Sequence, residues 1–199
     1  MLLAAGAVWL EGWLRNRTPV VRRIAVGLVC VLVLIGTVAG VALVKPVAPI
    51  NSALWNITAG VGDTMREMVG WTDMAQQVAG IYAKIPESEK PRTVILAGNY
   101  GEAGALDLYG SEYGLPRVIS GANSLWARGY GDPAPETVIA VGFDRANVER
   151  FFESCQTAGY VMNRYNVKNE ETTWHTGLYV CRQPRQPGAV VWPAMQWFQ

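Results

Sequence analysis

The chain has 199 residues, half of them apolar, and a formal net charge of +1. That length holds one domain of ordinary size plus further segments. A balance so close to neutral gives no electrostatic case for a nucleic-acid partner.

Residues 1–14, "MLLAAGAVWLEGWL", are apolar but too short to span a bilayer, and they carry Glu11. Two readings stand. The segment is an interfacial helix with Trp9 and Trp13 at headgroup level, or it is the cytoplasmic end of a longer helix. A basic stretch with Arg15, Arg17, Arg22 and Arg23 follows.

Residues 24–44, "IAVGLVCVLVLIGTVAGVALV", carry no charge. At about 1.5 Å per residue, such a helix covers roughly 30 Å, one hydrocarbon core. The expectation is a transmembrane helix. A cleaved signal peptide has a shorter apolar core of about 7–15 residues and begins nearer the start. Arginines before the span, and only Lys45 close after it, put the arginines in the cytoplasm and the rest outside. Pro46 and Pro49 end the helix on exit. Gly36 and Gly40 form a weak G-x-x-x-G contact signal.

Residues 45–62 read as a linker. Residues 63–85 have helical period, with Met65, Met68, Val69, Ala75, Val78, Ala79, Tyr82 and Ile85 on one stripe. Arg66, Glu67, Asp73, Gln76 and Gln77 fall on the polar side. Asp63 is its expected N-cap. From Thr93 the pattern becomes short apolar runs alternating with helical segments. "TVILAG", "RVIS" and "TVIAVGF" read as strands, with a helix over 102–113 and a loop over 123–135 between them. Asp144 is expected to cap a helix with Val148, Phe151, Phe152 and Cys155 on one face. "GYVMNRYNV" and "TGLYVCR" read as two last, antiparallel strands around the polar loop "KNEETTWH". The expected fold class is therefore α/β: one transmembrane helix, then a mixed, mainly parallel α/β sandwich over 63–199.

Of three cysteines, Cys30 falls in the apolar span. Cys155 and Cys181 fall in the exported part, where a disulfide is permitted by compartment. Their spacing does not decide it, and two buried free thiols are the slightly stronger reading.

Gly98, Gly101 and Gly104 give G-x-x-G-x-x-G after a strand. The dinucleotide fingerprint needs a glycine where this chain has Tyr100, whose side chain would crowd a phosphate. No acidic residue closes the second strand, and there is no P-loop lysine. The position still matters, because ligand crevices of open α/β sheets form at the carboxyl ends of strands. Asn99, Tyr100 and Glu102 lie on one such loop, and Asn123 and Trp126 follow the next strand. An amide, a carboxylate and aromatic faces suit a sugar. For any one of them, a turn or packing role is the stronger reading. His175 is the only histidine and lacks the partners a metal site needs, so no metal and no cofactor is expected. Glu170 and Glu171 read as a solvated tip, and Trp192, Trp197 and Phe198 as a cover for the domain or an interfacial contact.

Taken in order, "NYGEAGALDLYGSEYGLPRVISGANSLWARGYG", "TVIAVGF", "YVCRQP" and "VWPAMQWF" resemble the C-terminal part of bacterial glycosyltransferase family 39 membrane proteins. These are relatives of protein mannosyltransferases and of the aminoarabinose transferase that modifies lipid A. The resemblance covers the span and all of the exported part. It implies a bacterial inner-membrane protein whose C-terminal α/β domain is periplasmic. It also implies transfer of a sugar from a polyprenyl-phosphate donor to a lipid or protein acceptor. Its partners would be the bilayer, the lipid-linked sugar, the acceptor and a multi-helix membrane domain. That domain carries the family's catalytic acids, so no catalytic residue is named in this chain. The sequence departs from the pattern at Ala122, where the family often has histidine. If the loop after "TVILAG" shapes the acceptor surface, Asn99→Ala and Glu102→Ala should reduce transfer without unfolding the domain. The alternative is a stand-alone, membrane-anchored periplasmic domain that binds carbohydrate or a partner without catalysis.

Overall fold

A computed structural model describes residues 2–131 and 133–198. Met1, Gln199 and Asp132, the last within the loop expected over 123–135, lie outside the described residues. The chain divides into two compact units, with the boundary between Met65 and Arg66.

The first unit is helical. Helix α1 runs Leu2–Arg15 and α2 runs Pro19–Val44. Pro19 suits the first turn of α2, where its missing N–H is no loss. The helix stops at Lys45, held extended ahead of Pro46. Among the described residues, α2 is the one helix long and apolar enough to cross a membrane. The segment expected as a plain linker instead contains α3, Ala53–Val61, whose N-cap Ser52 accepts a hydrogen bond from the Trp55 N–H. The short α4, Thr64–Glu67, straddles the unit boundary.

The second unit is a five-stranded sheet in the order β2-β1-β3-β5-β4. Strands β1 (Thr93–Ala97), β2 (Val118–Ser120) and β3 (Thr137–Val141) are parallel. Strand β5 (Gly177–Pro184) runs antiparallel to both β3 and β4 (Phe152–Tyr160). The sheet is mixed and its pairings divide evenly, which corrects the expectation of a mainly parallel one.

Both faces of the central strands are buried, and side-chain alternation sorts two cores. Ile95, Ala97, Ile139, Val141, Leu178 and Val180 point to a core shared with α5 (Trp71–Tyr82) and α6 (Tyr100–Gly110). Val94, Leu96, Val138, Ala140, Tyr179 and Cys181 point to the other core, with Val148, Phe152 and Trp192. This second face is covered by the one-turn α7 (Arg145–Val148) and by α9 (Gly188–Val191) with the turn of 3-10 helix after it.

Five local expectations change. The single helix over 63–85 is broken at Gly70, whose φ of +102° favours glycine. Asp73, expected on a polar face, is buried. The helix from Asp144 ends at Val148, and Phe152 and Cys155 belong to β4. The strand expected over 159–167 is mostly a loop, since β4 ends at Tyr160. Cys155 and Cys181 face each other in the β4–β5 register and form a disulfide, which replaces the free-thiol reading.

Candidate functional site

The strand register collects one edge of the second unit. Ala97 is level with Ser120 and Val141, Val141 with Leu178, and Tyr160 with Gly177. The segments continuing past those positions therefore emerge at the same end. They bring Asn99, Tyr100, Glu102, Asn123, Asp144, Tyr160 and His175 to one edge.

The glycine turn at this edge is filled from within. Asn99 is the N-cap of α6, and its Oδ1 accepts a 2.7 Å hydrogen bond from the Glu102 N–H. Glu102 Oε2 accepts from the N–H groups of Gly98 and Asn99 at 3.0 and 3.1 Å. This is a capping box. Glu102 is 3% exposed. Burial pushes its carboxyl up to about 7; the backbone N–H donors and His175 pull the other way, and Glu170 adds to the rise. Asn99 and Glu102 thus close the helix start.

Tyr100, at the first position of α6, is 56% exposed. Asn123 takes a positive φ of 49°, tolerated by asparagine, and its N–H donates to the Trp197 carbonyl at 2.8 Å. Trp126 packs against the second core. Its indole N–H donates to the Trp192 carbonyl, and the Trp192 indole N–H donates back to the Trp126 carbonyl. Trp126 is thus tied to the C-terminal segment through a reciprocal pair of indole–carbonyl hydrogen bonds.

The structure joins polar residues that lie far apart in the sequence. The β4–β5 connection, residues 161–176, folds back on α5. Asp73 accepts from the Arg164 N–H at 2.9 Å and from Arg164 Nε at 2.7 Å. Burial pushes the Asp73 carboxyl up, but the Arg164 hydrogen bonds and charge outweigh it and leave it below its ordinary value. Gln77 donates to the Met162 carbonyl and accepts from its N–H. Asn169 Nδ2 donates to the Val69 carbonyl, and Glu67 accepts from the Glu170 N–H.

The loop so held carries Glu171, expected at a solvated tip but 7% exposed, at the start of the one-turn α8 (Glu170–Thr173). Its Oε2 is buried without a hydrogen-bond partner, and burial first, then Glu67, Glu102 and Glu170, push its carboxyl up to about 7. Trp174 beside it is 63% exposed, and His175 Nδ1 lies 3.0 Å from Asp144 Oδ1. Among the described residues, no group of three or more His, Cys, Asp or Glu is placed to hold a metal ion. The acidic composition of "KNEETTWH" was visible in sequence. Its burial depends on contacts with residues about a hundred positions away.

No family model matches the chain, and no curated protein or solved structure matches it either.

Proposed function

We propose that this chain is the C-terminal part of a membrane glycosyltransferase resembling family 39, with its α/β unit exported and presenting the acceptor or the sugar. In this reading α2 crosses the bacterial inner membrane, its preceding arginines are cytoplasmic, and residues 66–199 stand in the periplasm. The donor is a polyprenyl-phosphate sugar, and the acceptor is a lipid or protein hydroxyl. The observation that supports it is the pairing of a membrane-length apolar helix with an α/β unit whose strand-end edge carries Tyr100, Tyr160 and Trp174 exposed beside Asp144 and His175. Aromatic faces stack on sugar rings while carboxylates and imidazole bind hydroxyls directionally.

The chemistry places a limit on this unit. Transfer needs a carboxylate within ~3 Å of the acceptor proton and positive charge on the donor phosphate. Glu102 is unsuited to that task, because one of its oxygens is engaged by backbone N–H groups and the side chain is buried. The catalytic acid belongs, in this proposal, to a multi-helix membrane domain that works with this chain.

Deleting the coding sequence in the source cell, and comparing its envelope lipids and glycoproteins by mass spectrometry, tests the reading. One glycan should disappear and return with the wild-type copy, but not with Tyr100→Ala/Trp174→Ala at equal expression. An unchanged glycan profile rejects transfer and leaves a membrane-anchored binding domain. An immunoblot of source membranes tells whether the membrane domain is covalently joined: a band far above 21.7 kDa means that it is.

A further inference from the structure

The sheet face opposite α5 and α6 holds a cavity that the edge described above does not use. Its volume is about 70 Å³, its floor is Leu96 and Val138, and Phe152, Trp192 and Met195 are among its walls. A largely apolar lining of this kind favours apolar matter. Phe151, Gln186 and Val191 line both this cavity and an adjoining surface groove of about 300 Å³. Arg150 and Arg185 stand on that groove.

Both arginines are exposed, and neither is ion-paired to a carboxylate among the described residues. The nearby Arg145 differs, since Glu149 neutralises it at 2.6 Å. Arg185 is also held in place: its N–H donates to the Phe151 carbonyl, and its Nε donates to the carbonyls of Phe152 and Glu149. That leaves its terminal nitrogens as an oriented fork of the kind that grips carboxylate or phosphate.

We propose that this cavity and groove form a binding site for a single-chain anionic lipid, with the end of the chain between Phe152 and Trp192 and the headgroup on Arg150 and Arg185. Apolar walls and unpaired cations are arranged in the order that an anionic amphiphile presents them. About 70 Å³ corresponds to roughly five or six water-sized bodies, room for the last few carbons of a chain. The groove takes the remainder. The site is independent of sugar transfer and stands or falls separately.

The test uses the full chain in nanodiscs of zwitterionic phosphatidylcholine. Three photoreactive probes share one diazirine-bearing alkyl chain and end in a carboxylate, a phosphate or a neutral methyl ester. Cross-linked peptides are mapped by mass spectrometry. The expected result is labelling of Phe151, Val191, Trp192 or Met195 by both anionic probes, at least five-fold above the ester. Arg150→Glu should cut that labelling at least three-fold with an unchanged unfolding midpoint. Val191→Trp, which fills the mouth, should cut it for all probes. Equal labelling by the ester, or labelling confined to α2, overturns the proposal. Displacement of the anionic probes by millimolar inorganic phosphate alone also overturns it, since the site would then be one for a free anion. Retention of headgroup preference in Arg150→Glu/Arg185→Gln overturns the assignment of the two arginines.

Discussion

The carboxylate of Glu102 occupies the space that a side chain at Gly142 would need. Gly142 has φ +77° just past the end of β3, and Gly98, past the end of β1, lies so close that a Cβ there would strike the Gly142 carbonyl. Two glycines and a buried acid thus solve one packing problem across two parallel strands.

Gly142→Ala should therefore be costly, with strain from positive φ added to the clash with Glu102. A loss of about 2–4 kcal/mol is expected, measured by urea unfolding of the full chain. A change below about 1 kcal/mol would mean that the carboxylate readily moves aside.

Stability should fall as pH rises from about 5 to 7. Glu102 and Glu171 both titrate near 7 in the fold, against a usual 4.5. The folded state holds their protons more tightly, so their contribution is fully present below the unfolded value and is lost as pH climbs through the folded one. For Glu102 alone the full swing is about 3 kcal/mol. Glu102→Gln keeps the capping geometry and should flatten the slope; a slope identical to wild type would remove Glu102 from the account.

Reduction should loosen the β4–β5 pair. The Cys155–Cys181 bridge closes a loop with a sequence separation of 26, for which chain entropy suggests about 3.5 kcal/mol. Unfolding midpoints with and without a phosphine reductant check this, and equal midpoints would show that the bridge adds nothing.

Asp73→Asn should release the 161–176 loop more than it harms the core. It weakens the charge-assisted contact with Arg164 while keeping an acceptor for the Arg164 N–H. About 1–2 kcal/mol is expected. Amide exchange at Arg164–Val167 should speed up while β1 and β3 stay protected; uniform acceleration would indicate global unfolding instead.

Ala122→His tests whether this chain has room for a larger, polar side chain there. Ala122 is fully buried beside Gly121, where a Cβ would meet the Met195 carbonyl. An imidazole should displace the segment around Trp197, costing about 1–3 kcal/mol. A red shift in tryptophan emission would report it, and an unshifted spectrum with full stability would show that the pocket adapts.

What the sequence disclosed follows how local its causes are. Strands β1, β3 and β5 were readable because both faces are covered and the apolar runs are continuous. Strand β4 is masked in the sequence because Val148, Phe151, Phe152 and Cys155 match a helical spacing, while its remaining residues are largely solvent-facing. The break at Gly70 answers to Asn163, whose Cβ stands 2.9 Å from where a Gly70 Cβ would lie. The signal that Asn99 and Glu102 carry in the sequence is that of the helix cap that they build. Burial of Glu171 arises from chain folding back over itself, which no local pattern encodes.

The two margins of the sheet are finished differently. Beyond β2, Gly121 and Asn123 exchange backbone hydrogen bonds with Trp197, so the C-terminal stretch takes up partners that an incoming strand would seek. At the other margin β4 has no strand outside it among the described residues, but it carries Glu153, Gln156 and Thr157 exposed and an irregularity between Thr157 and Gly159. Charge and a kink are the means by which an open margin resists templating another molecule. Self-association of this protein is thus guarded by an occupied border on one side and an inhospitable one on the other. Smoothing β4 with apolar residues would be the shortest route to making this fold aggregate.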